Sequence, residues 1–209
     1  MTEQSAPLLR RRSPPLPPEE RRAALIAATS PLIRMHGLNV PTRLIAEAAG
    51  VAEGTIFRVF PDKNALLRAA LAHIFDPAPA VRMLRDIPAC YPLQVRLAAA
   101  AQIVGHRMAA NAPVIAALRS PDAVAVLNGD PFDGDPRASL NVIVDAVADL
   151  IRPDEHRLRR SAHTTAQLLI SLVVLTSRGM LGPEHLTGGD LADLLLHGLN
   201  TPPTGEGPC

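Results

Sequence analysis

The run Thr42-Arg43-Leu44-Ile45-Ala46-Glu47-Ala48-Ala49-Gly50-Val51-Ala52-Glu53-Gly54-Thr55-Ile56-Phe57-Arg58-Val59 gathers hydroxyl, carboxylate and guanidinium groups in one short stretch, and its spacing sorts them by face. Ala46 is small where a second helix must approach the first, and Gly50 stands where the chain must take a left-handed conformation. Ile45, Val51, Ile56 and Val59 are apolar at inward positions, which leaves Glu53, Gly54, Phe57 and Arg58 on the outer surface of the second helix. Two short helices joined by a tight turn make a helix-turn-helix. The second helix of such a pair fits the DNA major groove, which is wide enough to admit it. The chemistry on offer is hydrogen bonding to a duplex rather than the making of bonds.

Other reactive constellations are missing from the sequence. Seven histidines (His36, His73, His106, His156, His163, His185, His197) include no pair at three or four residues' spacing, so no metal site and no cofactor are expected. Asn128 to Pro136 imitates a calcium loop but carries Phe132 and Gly134 where ligands are required. No Gly-x-Ser-x-Gly, phosphate loop or dinucleotide fingerprint occurs, and no nucleophile, base and orienting group assemble, so an enzyme is not expected. Arg157, Arg159 and Arg160 read as a solvated helix start.

The elements that must position the outer face are helical throughout. Pro18-Glu19-Glu20 opens a helix whose apolar residues recur at helical spacing up to Gly37. A short helix follows from Pro41 to Ala49, another from Glu53 to Phe60, and Asp62 caps a fourth from Lys63 to Phe75 before Pro77 and Pro79 close the module. Beyond it the expected helices are Pro92 to Asn111, Pro113 to Leu127 with a break near Pro121, Arg137 to Ile151, Asp154 to Gly179 and Asp190 to Leu199. The fold class is all-α. Four segments are expected: a disordered basic, Pro-rich arm over 1–17, a helix-turn-helix module over 18–78, a larger helical domain over 79–200 and a flexible tail over 201–209.

Charge supports this division. The first 75 residues carry ten basic and six acidic side chains, whereas the remaining 134 carry 11 basic and 14 acidic ones. A basic first third joined to a mildly acidic remainder suits a nucleic-acid-contacting module attached to one with other duties. Aromatic residues are 2% of the chain, too few to provide stacking platforms for single strands. Cys90 and Cys209 support neither a disulfide framework nor a zinc knuckle, and a reducing, cytoplasmic setting is expected. Arg10-Arg11-Arg12 precedes prolines rather than an apolar stretch, so no secretory signal is read. The apolar run from Ser161 to Ser177 is 17 residues long with a histidine, threonines and a glutamine inside it, which suits a helix buried against protein better than a membrane span.

The run from Thr42 to Leu66 resembles the DNA-binding helix-turn-helix of tetracycline-repressor-like (TetR) transcriptional regulators. The residues that carry the likeness are Ile45-Ala46, Ala49-Gly50-Val51, Gly54-Thr55-Ile56-Phe57, Phe60, Lys63 and Leu66. The resemblance implies double-stranded DNA as partner, with a phosphate contact from Thr55 and a charged one from Lys63 at a helix N-terminus. It further implies backbone contacts from Thr42 and Arg43, and base edges faced by Glu53, Gly54 and Arg58, where Arg58 pairs with guanine and Glu53 accepts from cytosine. Glu53 reads equally well as an acidic first-turn residue favoured by the helix dipole. Three positions depart from the family pattern: Phe57 for tyrosine, Val59 for histidine or tyrosine, and Ala52 for a serine or threonine cap. Each loss is worth about 1 kcal/mol in affinity or helix stability. Arg58 and the Arg10-Arg11-Arg12 arm offer compensating contacts.

The resemblance also implies a homodimer formed by the last two helices and an effector cavity in the C-terminal half. Stripes suited to the interface are Ala166, Leu169, Ile170, Val173 and Val174, with Leu191, Leu194, Leu195 and Leu199. Twofold symmetry sets two recognition helices along the duplex, so the operator is expected to be near-palindromic. Candidate cavity residues are Met83, Gln102, His106, Arg107, Ile115, Leu118 and Gln167; set as a few polar groups among apolar walls, they suit a small, mostly apolar effector that releases a repressor from DNA. The alternative is a helical small-molecule-binding or scaffold dimer that has lost DNA binding, suggested by Phe57, Val59 and Ala52. No membrane partner is expected.

Overall fold

Helix α1 (Pro18–His36) begins with proline in its first turn, Glu19 and Glu20 beside it, and ends with Arg34 and His36, so both charged ends match the helix dipole. The chain described by this computed structural model comprises residues 17–127, 134–177 and 186–198. Among these residues every regular element is helical. The expected arm, the Asn128 to Pro136 loop up to residue 133, and the tail lie outside the described residues.

Gly37 ends α1 at φ +66, and three short helices follow: α2 (Thr42–Ala48), α3 (Ile56–Val59) and α4 (Lys63–Phe75). A 3-10 turn over Glu53–Thr55 leads into α3. Asp62 caps α4, accepting from the Ala65 amide at 2.6 Å. The larger half consists of α5 (Ala78–Arg85), α6 (Leu93–Ala117), α7 (Pro121–Leu127), α8 (Pro136–Ile151), α9 (Ala162–Ser177) and α10 (Gly188–His197).

Three boundaries differ from the sequence expectation, each through proline or a cap. Pro77 and Pro79 do not merely close the module. They sit at the start of α5, where a missing N–H is no loss, and that helix buries Ala80, Val81 and Leu84. Pro113 lies inside α6 instead of opening a new helix. Packing holds the helix together across it, with Asn111 and Val114 both buried. Residues Arg152–Arg157 form a 3-10 segment, and α9 starts only at Ala162, whose amide donates to Glu155 at 2.9 Å.

Two cores organise the chain. The first gathers Leu25, Ile33, Ile45, Ile56, Phe60, Leu66 and Leu71 from α1 to α4, and it also takes Val114 from α6 and Ala123 and Val126 from α7. The second joins α5, α8, α9 and α10 to the front of α6 through Leu97, Ala100, Val104, Ile143, Val147, Ile151 and Leu169. Helix α6 therefore belongs to both. Polar links reinforce the junction: Arg34 Nε donates to the Ala110 carbonyl at 3.2 Å, Asn39 to Asp122 at 2.6 Å, and Arg68 to the Val126 carbonyl at 3.2 Å. In the second core, buried Arg96 donates to the Tyr91 and Leu150 carbonyls and to Asp154, tying the start of α6 to the end of α8.

Helix α10 opens on a capping box in which Thr187 and Asp190 bond each other's backbone. Gly188 lies so close to α6 that a Cβ there would stand 2.5 Å from the Ala98 carbonyl oxygen. The apolar stripe expected to face a second protomer packs in large part within this chain. Ala166, Leu169, Ile170, Val173 and Leu191 are buried within this chain's own second core, while Val174 and Leu195 are half-buried against it. Leu194 is half-buried and Leu199 lies outside the described residues. What α9 leaves outward is Leu168, 48% exposed, with Gln167 and Ser171 beside it.

Candidate nucleic-acid interface and adjoining cavity

The turn after α2 is fixed by one residue. Gly50 adopts φ +65, its amide bonds the Glu47 carbonyl at 3.1 Å, and the Val51 amide reaches back to Ala46 at 3.0 Å. This pair of bonds is a Schellman closure, and a side chain at Gly50 would strain the backbone although the surrounding space is open. The closure turns Ile56 and Phe60 inward beside Ile45, all at 1% exposure or less. Glu53, Gly54, Phe57 and Arg58 remain exposed, Phe57 at 52%, and Thr55 is half-buried. Nothing lies within 4 Å of where a Gly54 Cβ would stand, so a surface can approach the backbone closely there.

The predicted contact residues are not all equally available. Arg43 and Arg58 are exposed and Lys63 is half-buried at the start of α4. Thr42 Oγ1 donates to Glu53 Oε1, so these two side chains bridge the helices of the motif. Glu53, an acidic residue in the first turn, braces the motif through this bond. Sequence reasoning missed Arg21 and Arg22, which border a recess with Arg58 between α1 and α3. The guanidinium of Arg22 also lies 4.4 Å from the centre of the Phe60 ring. Their signal was an arginine doublet in the first turns of a basic module.

A cavity of about 730 Å³ opens among α4, α6, α7, α8 and α9. Of the predicted lining residues, Arg107, Ile115 and Leu118 line it. Met83, Gln102, His106 and Gln167 do not; all four are exposed on other helix faces. Gln102 and His106 stand one turn apart on a face of α6 distinct from the one carrying Arg107, Asn111, Ile115 and Leu118. The residues that sequence reasoning missed include Phe75, Asn111, Arg119, Arg137 and Ser139. No local motif marks these; only the packing of α4 and α8 onto α6 brings them together.

Polar groups converge at one wall of this cavity. Arg107 Nη2 donates to the Phe75 carbonyl at 2.8 Å and to the Ser139 hydroxyl at 3.0 Å, and the Ser139 hydroxyl donates to the same carbonyl at 2.5 Å. Burial lowers the Arg107 pKa, Asp76 opposes that effect and the Arg34 charge adds to it. The guanidinium nonetheless stays protonated at neutral pH. Among the described residues no group of three or more His, Cys, Asp or Glu could hold a metal ion. No described helix is long and apolar enough to cross a membrane.

Residues 25–70 match the family of bacterial regulatory proteins, tetR family. In structure the chain is similar to the TetR transcriptional regulator SCO0520 from Streptomyces coelicolor, with a TM-score of 0.54, 26% identity, and coverage of 88% of this chain and 99% of that one. It is similar as well to the superantigen PfiT (TM-score 0.61, 19% identity, 87% and 96% covered). AibR in complex with isovaleryl coenzyme A and operator DNA gives a TM-score of 0.53 at 18% identity, over 84% and 96% of the chains. No curated protein sequence matches. The last two likenesses speak to the shared fold.

Proposed function

We propose that this chain, whose residues 25–70 match the family of bacterial regulatory proteins, tetR family, is a regulator of transcription, a repressor that binds a near-palindromic operator as a homodimer and lets go when a small effector enters the cavity. One observation carries the reading: Gly54, Phe57 and Arg58 are held outward over a floor of Ile45, Ile56 and Phe60 that is essentially closed to solvent. A face braced in this way presents side chains to a groove at little cost in ordering.

In this reading Arg43, Thr55 and Lys63 contact phosphates, Arg58 pairs with guanine, and Gly54 admits close approach. Phe57, without a hydroxyl, packs on a thymine methyl. Arg21 and Arg22 extend the phosphate contacts along α1. The dimer forms through the outward side of α9 around Leu168 and the adjoining face of α10. The cavity falls within the usual size of small-molecule sites. AibR, which shares the fold, was seen with both isovaleryl coenzyme A and operator DNA. The chain works by binding rather than by catalysis, and the 18–78 and 79–200 segments divide DNA contact from effector contact. To move occupancy from nearly full to nearly empty, the effector must prefer the released state by about 5 kcal/mol.

Selection of duplexes from a random pool tests the proposal. An enriched, near-palindromic sequence is expected, with affinity falling steeply as salt rises. Lys63→Ala should weaken binding to all duplexes alike, whereas Arg58→Ala should cost about 1–3 kcal/mol and relax preference at one base pair. A pool with no enrichment and salt-independent binding would instead favour a helical ligand-binding dimer that has lost DNA binding, the reading suggested by Phe57, Val59 and Ala52.

A further inference from the structure

Thr42 and Glu53 stand eleven residues apart, yet the Thr42 hydroxyl donates to Glu53 Oε1 at 2.5 Å. The bond joins the first residue of α2 to the first residue of the 3-10 turn that leads into α3. Ala52, at the N-cap of that turn, has no side-chain oxygen with which to cap it. The start of the segment is therefore tied across the motif, to α2, rather than by a cap of its own. A threonine hydroxyl carries a single hydrogen, and here the carboxylate takes it. A phosphate oxygen only accepts, so Thr42 in this bond offers it no hydrogen.

The first helix of such a motif crosses the phosphate backbone while the second enters the groove, where its N-terminal residues meet base edges. A carboxylate at that end would accept from the amino group of cytosine. Both oxygens of Glu53 share one carbon, so while the bond holds, the carboxylate stays beside α2, on the backbone side. Reaching cytosine means giving the bond up. That exchange trades one neutral donor for another of similar strength and gains almost nothing. Cytosine at that base pair is then no better than any other base. Arg58 has no such tie, since it makes no hydrogen bond or ion pair among the described residues.

We infer that Thr42 is a positioning residue for operator readout: its hydroxyl ties the Glu53 carboxylate back to α2 and leaves unread the base pair that Glu53 would otherwise meet. Sequence preference then comes from Phe57 and Arg58. The inference rests on the proposed function, because a readout needs a duplex; the bond itself does not.

Duplex selection with a set of variants tests it. Wild type and Glu53→Ala should enrich the same sequence. Thr42→Val should enrich that sequence with cytosine favoured about three- to tenfold at one further position, the worth of one hydrogen bond. Thr42→Ser keeps the hydroxyl and should select as wild type does, and Thr42→Val/Glu53→Ala should lose the new preference, a pattern that a merely structural Thr42 does not produce. Thr42→Val should also bind the wild-type sequence within about twofold, whereas loss of a phosphate contact weakens all duplexes alike. Glu53→Ala decides the matter if Thr42→Val fails to fold. A wild-type cytosine preference that disappears in Glu53→Ala, or a Thr42→Val selection identical to wild type, overturns the inference. A double-mutant cycle in urea unfolding follows the bond without DNA: Thr42→Val and Glu53→Ala together should cost less than the sum of the two, and strict additivity overturns the tie. No enriched duplex from any variant sinks the DNA-binding reading and this inference with it; an enriched duplex with the same preferences in every variant sinks this inference alone.

Discussion

Around α2 and α3 a single torsion, Gly50 at φ +65, decides which residues look outward. Around α6, α8 and α9 nothing comparable exists; the cavity wall is assembled from Phe75, Arg107, Asn111 and Ser139, which lie on three different helices. The outward face of α3 is a local product of turn chemistry. The cavity is a product of assembly, and its polar wall comes into being only when α4 and α8 dock on α6. One region can keep its shape while its side chains vary, whereas the other is exposed to any change in helix packing.

This contrast can be broken most forcefully at Phe60 and Val114. Phe60→Ala removes a fully buried ring beneath the recognition segment and should cost about 3–5 kcal/mol in urea unfolding. Val114→Ala lies far along the chain on α6 yet at 0% exposure in the same core, and about 2 kcal/mol should be lost there. If Val114→Ala left helices α1 to α4 untouched by local hydrogen exchange, the shared core would be refuted.

A smaller effect sharpens the assembled side. Gly188→Ala forces a Cβ against the Ala98 carbonyl and should cost about 1–3 kcal/mol, since backbone cannot swing aside like a flexible side chain. Because α10 adjoins the proposed dimer face, sedimentation should also show weaker self-association. An unchanged denaturation midpoint with unchanged mass would contradict the close docking.

The smallest effect is a matter of pH. Burial alone would raise the Asp154 pKa, but hydrogen bonds and charge from Arg157 and Arg96 outweigh it and leave the value below 3.8. A depressed carboxyl stabilises the fold above its unfolded value and loses that contribution as pH falls through the folded value. Asp154→Asn should therefore be less stable than wild type at pH 7, with the gap closing below about pH 3.8. A gap of constant size down to pH 2 would show that the pair does not act through ionisation.

Legibility followed the same line as the contrast. The turn, the inward Ile45 and Ile56, the Asp62 cap and the outward Phe57 and Arg58 were readable because each is dictated by neighbours within a few residues. Glu53 was readable only as a choice between two roles, and its bond with Thr42 emerges from the crossing of two helices. The stripes on α9 and α10 announced burial without saying against what. Arg107, Ile115 and Leu118 lay on the cavity side of α6, but Gln102 and His106, judged by residue type, sat on another face. Prolines misled in both directions: Pro79 begins a helix and Pro113 fails to end one.

Helix α6 runs 25 residues without interruption, a rod of about 37 Å. Its front half fills one core and its Val114 seals the other, with α7 adding Ala123 and Val126. The chain is consequently not divisible at the residue where α4 ends. A fragment stopping after α4 would lack three plugs of its own interior, so dissection into separately folding halves should yield a loosened N-terminal piece, and heating the intact protein should melt both ends in one step.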